Sequence, residues 1–366
     1  RSSVVTISEQ QIQSILQQTI DPTTGKDYVA SKSIRAIQID QENVTVDIEL
    51  GYPAESVKKN TQQQITEALA SISGIGKIAV AVSSRIIPHS VQKGVKLIPG
   101  VKNIIAVASG KGGVGKSATA VNLALALAAE GASVGILDAD IYGPSQPQML
   151  GITNHPDSLD GKTMEPVIAH GIQAMSIGLL LDVETPMVWR GPMVTQALQQ
   201  LLNDTNWRDV DYLIVDLPPG TGDIQLTLAQ KIPVTGAVIV TTPQDIALLD
   251  ARKGLKMFEK VGIPILGIVE NMSTHTCAHC GHTEPIFGTG GGKKMCDDYQ
   301  VEFLGALPLD IRIREHTDAG KPSVVAEPES QIADMYRLIA RRVAVKVAEF
   351  SEDHSELFAK IIMEDN

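Results

Sequence analysis

Residues 109–117 read SGKGGVGKS; they follow the apolar run NIIAVAS and lead directly into the helix-like ATAVNLALALAAEG. No other stretch narrows the possible folds so far. It matches G-x-x-x-x-G-K-[ST], with Gly110, Gly115, Lys116 and Ser117 in the fixed places. Each residue type has a physical task. Glycines let consecutive backbone N–H groups turn inward around phosphate oxygens, and the helix N-terminus adds the positive end of its dipole. Lys116 neutralises charge between the phosphates, and the Ser117 hydroxyl ligates Mg2+. Gly110, Lys111, Gly112, Gly113, Val114, Gly115, Lys116, Ser117 and Ala118 are therefore the expected nucleotide cradle. Ala118 offers a backbone N–H but no hydroxyl, which bears on affinity rather than function. A glycine turn that matched by accident would lack the strand before it and the helix after it.

The texture around this loop sets the fold class. From Asn103 onward, apolar runs alternate with helix-length segments: NIIAVAS, SVGILDAD, DYLIVDLPP, GAVIVTTP, PILGIVENM and FLGALPLD. Strands apolar on both faces, separated by helices, predict a doubly wound parallel sheet, an α/β P-loop NTPase domain over 102–350. Ahead of it, residues 1–88 read as a small α+β domain. ISEQQIQSILQQTI carries Ile7, Ile12, Ile15, Leu16 and Ile20 on one side, with Ser8 as N-cap. SIRAIQID and VTVDIEL alternate around Gln41-Glu42-Asn43 as a hairpin, a helix follows over about 55–72, and GIGKIAVAVS gives a turn and a third strand. Residues 89–101 read as a linker, and QIADMYRLIARRVAVKVAEF from Gln331 as a closing helix ahead of an acidic tail, 351–366.

A chain of 366 residues with ordinary apolar content suits two domains. The net charge of −11, without a polybasic run, argues against nucleic acid and anionic membrane as partners. Three cysteines make no disulfide framework, no signal or spanning segment is visible, and the expected location is cytoplasmic.

A phosphate loop needs carboxylates to hold Mg2+ through water and to place the attacking water. LIVDLPPGTGD puts Asp216 at the end of an apolar strand, and ILDADIYGPS puts Asp138 and Asp140 after another; turn forming or capping is the structural alternative for each. Which of Asp138 and Asp140 orients the water is open at this point. No N-K-x-D guanine signature occurs, so ATP is favoured over GTP. Asn271, after PILGIVE, and Pro243 in TTPQD are candidates beside the base; a buried strand-end amide is the structural reading of Asn271.

The cysteines pose a separate question. THTCAHCGH places Cys277 and Cys280 in an insertion spanning 272–300. A zinc ribbon within one chain wants C-x₂-C-x₁₅₋₂₀-C-x₂-C. Cys296 stands at the right distance, but Tyr299 occupies the fourth position, so only a Cys₃His site with His279 or His282 remains in one chain. Cys296 otherwise reads as a buried free thiol.

GKGGVGKS resembles the deviant Walker A loop of the ParA/MinD/nitrogenase-iron-protein class. That resemblance implies that Lys111, otherwise a solvated lysine, reaches the partner's phosphates in a nucleotide-sandwich homodimer. It also places Asp138 and Asp140 in the first switch, Asp216 in the second, and Asn271 near the adenine. The full set of GKGGVGKS, LDADIYGPSQP, WRGPM, DYLIVDLPPGTGD, TTPQ, VENMS and CAHCGH is similar to the Mrp/ApbC family of iron–sulfur cluster carriers over roughly residues 90–345. The family implies ATP, Mg2+ and a [4Fe–4S] cluster bridging two protomers, held by Cys277 and Cys280 of each. It further implies apo iron–sulfur clients, a cluster-assembly scaffold as partner and slow, regulatory ATP hydrolysis. Four thiolates from two chains also suit zinc, and a MinD/ParA-type positioning ATPase with structural zinc is the alternative. An ATP-driven electron donor is a third reading, less suited to a single CxxC per chain. The N-terminal unit resembles the small cluster-assembly-associated domain, without the cysteine common after its second strand, here ELGYPAES.

Overall fold

The computed structural model describes residues 7–89, 95–180 and 190–350. Linker residues 90–94, Trp189 of WRGPM and the tail 351–366 lie outside them. The chain divides into two compact units, the first comprising residues up to Ile86 together with Ala129–Gly131 and the second the remainder.

In the first unit, α1 (Glu9–Leu16) starts where Ser8 and Gln11 exchange hydrogen bonds: Gln11 N–H donates to the Ser8 hydroxyl at 3.2 Å and Ser8 N–H to the Gln11 side chain at 3.0 Å. This reciprocal cap satisfies two otherwise orphaned donors. Ile7, Ile12 and Leu16 are buried as expected, but the helix ends before Ile20, which is 46% exposed. β1 (Ile34–Asp40) and β2 (Asn43–Leu50) form the expected hairpin, turning at Gln41 with φ +56°. The second helix is shorter than its pattern: a single 3-10 turn over Glu55–Val57 precedes α2 (Lys58–Leu69). β3 (Ile78–Ser84) lies parallel to β2. Val44, Val46, Ile48 and Leu50 alternate into the core of this unit.

The second unit runs β4 (Val101–Ala108), α3 (Lys116–Ala129), β5 (Val134–Asp138), α4 (Gln146–Met149), β6 (Val167–Ala169) and β7 (Ile172–Ser176). It continues through α5 (Gly191–Asp204), β8 (Val210–Asp216), α6 (Asp223–Lys231), β9 (Gly236–Thr241), α7 (Asp245–Lys260) and β10 (Ile265–Glu270). A two-stranded ribbon, β11 (His275–Thr276) with β12 (Thr283–Glu284), precedes α8 (Gly291–Tyr299) and β13 (Phe303–Ala306). The chain then forms α9 (Ile311–Asp318), α10 (Ser323–Ala326) and α11 (Gln331–Glu349), the last capped by Ser330.

Eight strands make one sheet in the order β13-β10-β9-β4-β8-β5-β7-β6, parallel throughout except the β6–β7 edge pair. The six expected runs became β4, β5, β8, β9, β10 and β13. The β6–β7 hairpin is additional, turning through His170 and Gly171, both at positive φ. Its local signal is that His-Gly pair, since the strands themselves are only three and five residues long. α5, α6 and α7 close one apolar cluster over Ile104, Leu213 and Val215. The order in which strands are added reverses at β4, β5 to β8 lying on one side and β9, β10 and β13 on the other, so the crevice at its carboxyl end is where this architecture binds ligands.

Candidate functional site

The loop after β4 is shaped by close approaches. Gly110 lies against the backbone of Asp250 in α7, where a Cβ would overlap it. Gly115, at φ +80°, faces the Asn271 amide, which would overlap a Cβ in the same way. Only glycine meets both demands. Asn271 Nδ2 donates to the Val114 carbonyl at 2.9 Å, so the residue considered for base recognition holds the phosphate loop from behind. Among the described residues, the backbone N–H groups of Lys111 to Gly115 donate to no carbonyl. A Cβ at Gly112 or Gly113 would meet nothing within 4 Å, so the crown of the loop is an open nest of N–H groups suited to an anion.

The carboxylates converge beneath that nest. Asp138 and Asp216 end β5 and β8, are register partners, and are fully buried. Lys116, the first residue of α3, is also buried; its ammonium pairs with Asp216 Oδ1 and lies 3.1 Å from the Ser117 hydroxyl. A buried lysine needs such a partner, because an isolated charge there is strongly disfavoured. Asp138 is committed differently. Its carboxylate accepts the N–H groups of Asp140, Ser145 and Gln146 at 2.9–3.1 Å and the Ser176 hydroxyl at 3.3 Å. Burial first, then the charge of Asp216, pushes Asp138 up to about 7. Asp140 is half-buried, and burial pushes its carboxyl above the usual carboxylate range too. Of the two aspartates, Asp138 organises the loop after β5 and Asp140 has the freer side chain.

Sequence reasoning missed Gln146, which stands inside the quoted LDADIYGPSQP. Its amide nitrogen reaches Asp216 Oδ2 at 2.9 Å and the Ser117 carbonyl at 3.0 Å. No local pattern marks it, because its partners come from loops after three different strands. The chemistry of this set fits Mg2+, a hard cation that takes hydroxyl and carboxylate oxygens: Ser117 and Asp216 supply both. Lys111 is half-buried; its carbonyl accepts from the Ser109 hydroxyl at 2.9 Å, and its ammonium forms no hydrogen bond or ion pair among the described residues. Arg190 is exposed at the start of α5, where its carbonyl accepts from Met193 and Val194, and it forms no ion pair among the described residues.

Cys277 and Cys280 sit on the β11–β12 ribbon. Cys277 N–H donates to the His282 carbonyl and Gly281 N–H to the Cys277 carbonyl, both at 2.8 Å, closing a tight knuckle. Cys280 is exposed and Cys277 partly so. The N–H groups of Cys280 and His279, with the Cys280 side chain, hold the Cys277 thiol below the usual range. His279 and His282 are exposed, while His275 Nδ1 bonds the Leu309 carbonyl at 3.0 Å. Cys296 is elsewhere, in an apolar cluster with Ile239, Leu248, Ile268 and Met295. Its thiol donates to the Glu302 carbonyl at 3.4 Å, and burial pushes it up to about 12. Among the described residues no three His, Cys, Asp or Glu side chains are grouped to hold a metal ion. The three-cysteine zinc site within one chain is therefore not formed: α8 turns Cys296 into the core, away from the ribbon. No helix among the described residues is long and apolar enough to cross a membrane.

Comparison with known proteins fits this arrangement. Residues 100–344 match the family described as NUBPL iron-transfer P-loop NTPase, and residues 9–82 match the family described as iron-sulfur cluster assembly protein. The chain is 51% identical over 340 residues to the iron-sulfur cluster carrier protein of Haemophilus influenzae, spanning 93% of this chain and 92% of that one. It is 51% identical over 250 residues to the mouse iron-sulfur cluster transfer protein NUBPL, spanning 68% and 78%. Among solved structures, a nucleotide-binding protein from Archaeoglobus fulgidus in complex with ADP is 37% identical, with a TM-score of 0.56 over 64% of this chain and 92% of that one. The Pyrococcus furiosus cell division ATPase MinD shares the fold at 23% identity and a TM-score of 0.50, over 66% of this chain and 98% of that one.

Proposed function

The chain belongs to the NUBPL-type family of iron-transfer P-loop NTPases, and from that premise we propose that it is a homodimeric ATPase that binds a subunit-bridging [4Fe–4S] cluster and hands it to apoproteins. The observation that carries this reading is the knuckle itself: two accessible thiols on a ribbon, with no third ligand grouped beside them among the described residues. A cluster held by four thiolates then takes two from each of two chains. The partner supplies the missing pair, and the cargo lies at an interface that movement of the subunits can open.

ATP occupies the nest after β4. With nucleotide bound, the Lys116 ammonium would neutralise the β- and γ-phosphates, and the Ser117 hydroxyl together with Asp216, through water, would hold Mg2+. Bound Mg2+ supplies charge neutralisation between the phosphates. Asp140, the less engaged of the first-switch acids, orients the attacking water, and Lys111 of each protomer serves the phosphates of the other. Asn271 fixes the loop through Val114 while leaving its edge toward the base. Hydrolysis is slow and sets the state of the dimer rather than its chemistry toward iron.

The test is anaerobic reconstitution with iron and sulfide, followed by transfer to an apo-enzyme with and without ATP. Cluster absorbance lost in Cys277→Ala and Cys280→Ala but kept in Cys296→Ala, with a transfer rate that responds to ATP, supports the proposal. Failure of the wild type to take up a cluster, or uptake that depends on Cys296, contradicts it.

A further inference from the structure

Gln146 joins parts of the phosphate machinery that lie far apart in sequence. Its Nε2 donates to Asp216 Oδ2 at 2.9 Å and to the Ser117 carbonyl at 3.0 Å, while its backbone N–H donates to Asp138 Oδ2 at 3.0 Å. Loops after β4, β5 and β8 are thus joined at one residue. Both side-chain partners are acceptors, which fixes the assignment of the amide: the nitrogen bonds Asp216 and the Ser117 carbonyl, and the oxygen bonds neither. That oxygen is buried, the residue being 1% exposed, and it has no hydrogen-bond partner among the described residues. A buried carbonyl left unpaired is unusual enough to need an occupant. The donors that share Asp216 with Gln146 are already in use: the Lys116 ammonium pairs with Asp216 and lies 3.1 Å from the Ser117 hydroxyl.

We propose, resting on the nucleotide reading above, that Gln146 is a positioning residue for the magnesium-bound nucleotide: its amide nitrogen holds Asp216 and Ser117 in place, and its oxygen accepts a hydrogen bond from a water of the Mg2+ shell. A hydroxyl, a carboxylate and an amide oxygen around one hydrated dication form an all-oxygen environment of the kind this ion selects. The residue adds no negative charge where Asp138 and Asp216 already crowd, so it contributes an acceptor without further repulsion.

The experiment measures binding of a fluorescent ATP analogue to the full chain across a Mg2+ titration and again in EDTA. Gln146→Met keeps the length of the side chain and removes both functions of the amide. Expected is an apparent Mg2+ affinity about tenfold weaker, from loss of one hydrogen bond to a charged group. Metal-free nucleotide affinity stays within about twofold, because the phosphate nest is untouched. Gln146→Asn, which withdraws the amide by one methylene, gives a loss in the same direction and serves if the Met variant does not fold. Equal loss with and without Mg2+ marks a purely structural role and overturns the proposal, as does an unchanged Mg2+ response. A wild type whose nucleotide binding ignores Mg2+ overturns this proposal alone, and a wild type that binds no nucleotide overturns the nucleotide reading with it.

Discussion

Cys277, Cys280 and Cys296 differ in what surrounds each sulfur, and a thiol reagent reads that difference. At pH 8 a thiol pushed up to about 12 is roughly 10⁻⁴ ionised, four pH units below its midpoint. Iodoacetamide at pH 8 is therefore expected to label Cys277 and Cys280 in the native protein and to leave Cys296 unlabelled until unfolding, with mass spectrometry of tryptic peptides as readout. Labelling of Cys296 at a rate comparable to Cys280 would contradict the burial argument. The same thiol fixes a sign for stability. Its folded value lies above the usual 9.0, so its contribution is complete below pH 9 and is lost as pH rises from about 9 to about 12. Cys296→Ala should cost about 1 kcal/mol at neutral pH, from the lost sulfur contacts. It should also flatten the decline of the melting temperature above pH 9.

At the scale of elements, the phosphate loop and the strand end behind it behave as one piece. Gly115→Ala would place a Cβ on the Asn271 amide and hold alanine at φ +80°, so a loss of about 2 kcal/mol or more is expected in thermal melts. Asn271→Ala removes the overlap, so the double variant should be less destabilised than the sum of the two singles. Additivity would mean that the two residues do not meet. Much of this level was legible beforehand. The phosphate loop announced a strand and a helix around itself, and runs apolar on both faces located six strands of the sheet. The β6–β7 edge was not legible, because short strands joined by His-Gly carry little period. Gln146 was not legible either, since its importance arises from loops that are far apart in sequence and meet only at the carboxyl ends of β4, β5 and β8. Asn271 was recognised as a candidate, but its use as a brace for Val114 emerges only from the approach of β10 to the loop.

At the scale of the molecule, the proposal stands on a second copy of the chain. The Lys111 ammonium has no partner of its own among the described residues, and the knuckle has half the thiolates a cluster requires. Lys111→Ala is expected to lower ATP hydrolysis by roughly 10²–10³ while leaving nucleotide affinity within a few-fold, as for loss of one transition-state cation. If the lysine acts across the dimer, mixing Lys111→Ala with Asp140→Asn chains restores activity. Half the dimers are then mixed and one of their two sites is intact, so about a quarter of the sites recover. A lysine acting within its own chain gives no recovery. The most direct measurement of the central claim is anaerobic native mass spectrometry of the reconstituted chain. The account predicts a dimer carrying one [4Fe–4S] cluster, roughly two iron atoms per chain, that is absent from Cys277→Ala and Cys280→Ala. A monomer that retains its metal, or a dimer carrying zinc or a separate cluster on each chain, would contradict it.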